Sequence, residues 1–250
     1  MLFSFEVISL TTLLILAGTS FLTSLITASL GAGGGVMMLG VMGQLLPVQV
    51  IIPVHGLVQL GSNAGRAIMS IRYIDFKMIV EWLPGIILAG GMGLFFLVSL
   101  PPKVMYLSIA SFILFLCWGP KLPSYAMSKK GLFLVSCLTS FLGLFVGASG
   151  PLVGAFLKQA YKSRLALVAT FALIMSLQHL IKLVVFGSTG FDLVPWLVPV
   201  LVMVIAGIAG TKVGLNLSMK VLDKNYQTLF NWVLTVLAFR LIWLSLQEYL

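Results

Sequence analysis

The stretch LITASLGAGGGVMMLG (Leu25–Gly40) decides how this chain is read. An apolar run enters it, GAGGG at Gly31–Gly35 breaks it, and a second apolar run leaves it. Glycine disfavours a helix interior and lets the backbone turn where other residues cannot. No Asp, Glu, Lys or Arg lies between Glu6 and Arg66, so the break sits inside an uncharged segment and not in a solvated loop. A broken helix at membrane depth is the first expectation.

The rest of the chain supports a membrane setting. Hydrophobic residues make up 60% of the 250 and charged residues 8%, against about 25% charged in soluble domains. Mean hydropathy is +1.14. Uncharged stretches also separate Lys130 from Lys158 and Asp192 from Lys212, each about as long as, or longer than, the ~20 residues that cross a bilayer. The first basic residue is Arg66, so the amino-terminal segment lacks the Lys or Arg that opens a cleaved signal peptide and is expected to be retained. The net charge of +9 fits basic residues gathered in cytoplasmic loops better than a nucleic-acid surface. Cys117 and Cys137 lie in apolar segments, form no CxxC, and read as free thiols. No metal-ligand cluster and no cofactor motif is present.

Apolar runs and their breakers outline helices over 7–30, a short piece to 46, then 48–70, 78–100 and 103–119. After a polar stretch at 120–130 the pattern resumes over 131–146, GASGP at Gly147–Pro151, a short piece to 160, then 164–186, 193–217 and 225–247. This is an internal repeat. Shifted by 116, LGAGG (Leu30–Gly34) meets VGASG (Val146–Gly150), Ser62-Asn63 meets Gln178-His179, and Arg66 meets Lys182. Shifted by 117, Asp75 meets Asp192, AGGMG (Ala89–Gly93) meets AGIAG (Ala206–Gly210), and Lys103 meets Lys220.

Charge sets the topology. Arg72 and Lys77, then Lys121, Lys129 and Lys130, then Lys158, Lys162 and Arg164, then Lys220 and Lys224, mark cytoplasmic loops, while GSTGFD at 187–192 reads as outside. Residues 131–160 then enter and leave on one side, as a re-entrant hairpin of two half-helices. By the repeat, 7–46 is a hairpin entering from the other side. The expected fold is an all-α polytopic membrane protein of two inverted repeats, each a glycine-broken hairpin plus three transmembrane helices. The first repeat covers 1–122, a cytoplasmic linker 123–130, and the second repeat 131–250. The alternative is eight full spans in a 4+4 repeat.

The GAGGG break, the stretch HGLVQLGSNAGRAIMSIRYID (His55–Asp75) and the degenerate second copy resemble the TauE/SafE family of sulfite or sulfonate exporters, also called the toluenesulfonate uptake permease family. The resemblance covers nearly the whole chain. It implies a bacterial inner-membrane permease for sulfur-containing anions such as sulfite, sulfoacetate or thiosulfate. The second break departs from the triple glycine, having Ser149-Gly150-Pro151.

Several residues are candidates for substrate contact. Gly33, Gly34, Gly35, Ser149 and Gly150 sit where a half-helix would begin, and its first N–H groups suit an anion. Pro151 is a favoured first-turn residue and Ser149 could cap that helix. Simple close packing of helices is the competing role for the glycines. His55, Gln59, Ser62, Asn63 and Arg66 fall roughly along one face of the next helix; Gln178, His179 and Lys182 repeat its last three positions. Ser62, Asn63, Gln178 and His179 could donate to an oxyanion, and His55 and His179 could carry a coupled proton. Arg66 and Lys182 either meet the substrate or snorkel to the interface. Asp75 and Asp192 read as helix caps, and Arg240 is left open between lipid and substrate. The expected activity is secondary transport of a small anion, with an anion channel or a non-transporting scaffold subunit as alternatives. No Walker motif supports ATP use, and the acidic residues lie near segment ends, which argues against an enzyme. The expected partners are the anion and membrane lipid, without nucleic acid; a homodimer is compatible.

Overall fold

The computed structural model describes residues 7–30, 33–96, 101–119, 128–217 and 224–247. Glu6 at the amino terminus, Gly31 and Ala32 of the first break, Lys121 with most of the linker, and Lys220 lie outside the described residues. Among those described there are ten α-helices and no strand. They are α1 (Leu10–Leu30), α2 (Gly34–Leu45), α3 (Val48–Met69), α4 (Phe76–Phe96), α5 (Pro102–Trp118), α6 (Lys129–Val146), α7 (Gly150–Ala160), α8 (Arg164–Ser188), α9 (Leu197–Asn216) and α10 (Lys224–Gln247). Short 3-10 turns at Ile71–Tyr73 and Val194–Trp196 lead into α4 and α9.

The breakers act as their chemistry requires. Gly33 before α2 and Gly147 after α6 have φ of 108° and 90°, the left-handed region that side chains with a Cβ avoid. Asp75 accepts from the Met78 amide and Asp192 from the Val194 amide, so both aspartates cap the following element, as expected.

Among the described residues five segments are long and apolar enough to cross a membrane: Leu10–Ser29, Phe76–Phe95, Lys129–Val146, Arg164–Ser188 and Val194–Asn216. Large apolar side chains such as Phe95, Val80 and Val194 stand exposed on the outer faces, where lipid would cover them. One expectation differs in its proportions. At 1.5 Å per residue α1 is about 31 Å long and α6 about 27 Å, whereas α2 and α7 reach only about 18 and 16 Å. Each break therefore joins a long arm to a short one, not two half-helices, because the apolar run before each break is nearly twice the run after it.

The helices of the two halves interleave. Ser20 donates to the Met203 carbonyl and Ser29 to the Gly214 carbonyl, so α1 and α9 run parallel and in contact along their length. A Cβ on Gly210 would collide with the Phe21 carbonyl; the small residues of AGIAG permit that approach. In the same way Ser136 donates to the Trp82 carbonyl and Gly93 lies against Leu144, so α6 runs parallel to α4. Under the 116–117 shift these are one pairing with the halves exchanged.

Helices α3 and α8 form the centre. Gly56 touches the Lys182 stem and Leu183, while beyond the end of α3 the Asp75 amide donates to Thr170. The two helices thus run antiparallel. α8 is the most enclosed of these five segments and α1 the least. One apolar cluster gathers Leu39, Met42, Ile52, Ile109, Ile113 and Leu241, and another Trp82, Ile86, Val153, Leu157, Phe171 and Ile174. The two halves of the site rest on these clusters. Cys117 and Cys137 are free thiols, as expected.

Candidate functional site

The polar face of α3 points inward. His55, Gln59, Ser62, Asn63 and Arg66 are all buried, and so are Gln178, His179 and Lys182 on α8. Polar groups at such depth need partners, and most have them. Arg66 donates to Asn63 Oδ1 at 2.8 Å and, at longer range, to Ser62 Oγ and Thr211 Oγ1. Asn63 Nδ2 donates to the Gln59 carbonyl at 2.8 Å. Arg66 and Lys182 do not snorkel: they are 1% and 2% exposed. The partners of the first lie on α3 and α9, and the stem of the second packs on Gly56.

The two breaks are held differently. At the first, His55 Nε2 donates to the Gly35 carbonyl at 2.9 Å. At the second, Lys182 Nζ donates to the Gly147 carbonyl at 2.6 Å. Ser149 Oγ donates to Gln178 Oε1 at 2.9 Å, and Gln178 Nε2 donates to Ser140 Oγ at 2.9 Å and Thr139 Oγ1 at 3.2 Å. Ser149 therefore does not cap α7 with its side chain; Gln178 takes that hydroxyl instead.

Between the breaks lies a cavity of ≈ 20 Å³, lined by residues of both, room for about one water. Of the candidate residues, Gly33, Gly35, His55, Gln59, Asn63, Gly150, Pro151 and His179 reach it. Ser62, Arg66, Ser149, Gln178 and Lys182 form the layer behind. Gly34 is off the cavity: a Cβ there would strike the Thr23 carbonyl and Thr27 Oγ1, so this glycine serves the close packing of α2 on α1. The His55 and His179 rings meet edge to face at 5.8 Å, and both Nδ1 atoms are buried without a partner among the described residues. Arg240 is exposed on α10 and lies off the cavity.

Thr27, Val36, Ala148, Phe171 and Met175 also line the cavity and were not among the expected residues. The 116 shift could have found two of them. It carries His55, Gln59 and Asn63 onto Phe171, Met175 and His179, and all six line the cavity. Apolar chemistry hid Phe171 and Met175 from a search for polar groups.

At one end of the bundle Tyr161 donates to Asp75 Oδ2 at 2.8 Å, tying the end of α7 to the loop after α3. Partial burial, then the bonded carboxylate, push this phenol well above its ordinary range.

A helical bundle with apolar outer faces and a buried cavity between two broken helices is the architecture of a polytopic membrane transporter. More particularly, the chain belongs to the sulfite exporter TauE/SafE family, whose model matches residues 16–241. No curated protein and no solved structure matches the chain.

Proposed function

We propose that the chain is a secondary transporter that exports a small sulfur-containing anion, of sulfite, sulfonate or thiosulfate type, across the bacterial inner membrane by alternating access. One observation carries this reading. Arg66 and Lys182 are buried on the two central helices, and among the described residues neither has a carboxylate partner. Uncompensated charge at such depth is costly, and a transient anion between the two cations offsets that cost. The amides of Gly33 and Gly35, at the start of α2 and on the cavity wall, add donors without intrahelical partners. Pro151, second in α7, has no N–H, so the first break contributes more of them.

The family and the cavity size support a carrier that opens and closes. Sulfite has four heavy atoms and does not fit a space for about one water, so binding requires the walls to separate. The antiparallel course of α3 and α8 supports halves 1–122 and 131–250 inverted about the linker 123–130. Inverted repeats rocking on each other give alternating access. The facing imidazoles of His55 and His179 are suited to carry a coupled proton. An inside-negative potential favours anion export, by roughly 2.3 kcal/mol per charge per 100 mV.

The test is flux into and out of liposomes for sulfite, thiosulfate, sulfate, sulfoacetate and chloride, with and without a pH gradient. Saturable flux of the sulfur anions is expected. Single-channel conductance would replace the carrier by a channel, and no flux of any anion would leave only a scaffold.

A further inference from the structure

Away from the cavity, α4 and α6 start side by side at the bundle end rich in loop lysines. A groove of ≈ 550 Å³ opens there, lined by Lys77, Val80, Glu81 and Pro84 of α4 and by Lys129 and Phe133 of α6. On each helix the lysine lies in the first turn, and the apolar residues follow on the same face at i+3, i+4 or i+7. Lys77, Val80, Pro84 and Lys129 are exposed and Phe133 is half-buried. Charge sits at the helix ends and apolar surface runs about 10 Å towards the middle. Two ammonium groups face one carboxylate, Glu81, which leaves the groove net positive. This order of groups, basic at the membrane boundary and apolar below it, complements a lipid with a negative headgroup. Basic recesses between helices at the membrane boundary are where such headgroups bind.

We propose that this groove is a binding site for an anionic phospholipid. Its phosphodiester lies between the Lys77 and Lys129 ammonium groups. The first part of an acyl chain lies along Val80, Pro84 and Phe133. Glu81 sets the limit on charge, so a headgroup carrying a single negative charge fits better than one carrying more. The site is independent of the anion cavity and does not require the transport reading.

Native mass spectrometry of the full chain in detergent, with equal amounts of phosphatidylglycerol and phosphatidylcholine, tests it. Wild type should retain phosphatidylglycerol about tenfold over phosphatidylcholine. Lys77→Gln with Lys129→Gln should abolish that preference. Lys158→Gln with Lys162→Gln, which removes two exposed charges outside the groove, should leave it intact. Lys77→Arg with Lys129→Arg should also keep it, and guards against a folding defect in the neutral pair. Equal retention of the two lipids by wild type would overturn the proposal. So would an equal loss in both neutral pairs, which would mean diffuse attraction. Displacement of the bound lipid by millimolar inorganic phosphate would reassign the groove to a free anion.

Discussion

The two walls of the cavity occupy corresponding sequence positions and differ in chemistry at two of the three. On α3 the wall is His55, Gln59 and Asn63; on α8 the same positions hold Phe171, Met175 and His179. The helix breaks differ in the same way. The first is fixed by backbone crowding at Gly34 and one imidazole on the Gly35 carbonyl. The second is fixed by a lysine on the Gly147 carbonyl and a chain of Ser149, Gln178, Ser140 and Thr139. A repeat thus preserves where residues meet and not what they do. The polar side chains that line the cavity are concentrated in the first half, while the second half supplies bulk and the polar tether.

The largest effect should come from Gly34→Ala. Its Cβ meets backbone, which cannot swing aside, at a cost of about 3 kcal/mol or more. Thermal unfolding in detergent should register it as a large loss. Gly150→Ala, whose Cβ would stand 3.4 Å from the Phe171 ring, should unfold like wild type and lose only flux. Equal destabilisation of the two would erase the contrast between the breaks.

Next comes Lys182→Met. It strips the Gly147 carbonyl of its donor, at about 1–3 kcal/mol, and removes one of the two buried cations. Flux should fall by more than about tenfold, as a loss of about 1.4 kcal/mol in anion binding would give. Arg66→Met should match it in flux, and flux undiminished in either variant would remove the charge argument.

The walls can be compared directly. His55→Phe copies the second wall onto the first and should abolish sulfite flux, with a cost of about 1–3 kcal/mol for the abandoned Gly35 carbonyl. Phe171→His copies the first wall onto the second and should retain flux. The reverse outcome, measured in the same liposomes, would place the anion against α8. The smallest effect should be Ser149→Ala, which removes one donor from Gln178 and should cost about 1 kcal/mol, read as a small shift in unfolding temperature.

Much of this was legible in residues 25–40 and their copy. Apolar run, glycine break and short apolar run placed α1, α2, α6 and α7 to within a few residues, because length and hydropathy alone decide which segments leave water. The inward face of α3 was legible too, since polar residues at helical spacing in an apolar segment must face protein. Three things were not. Gly34 and Gly35 are neighbours in sequence, yet one packs on α1 and the other reaches the cavity. Ser149 looked like a cap until Gln178, 29 residues on, claimed its hydroxyl. Phe171 and Met175 carry no polar signal.

By itself the sequence determined an all-helical membrane chain, its breaks, its repeated order of features and its family resemblance. All of these are local or compositional. Only the tertiary structure decided that α1 lies on α9, that α3 runs against α8, and that Lys182 reaches Gly147. Each depends on which surfaces meet across more than thirty residues of chain. Hydropathy does not encode that choice, because many apolar faces are equally willing to pack and only their shapes and buried polar groups select among them.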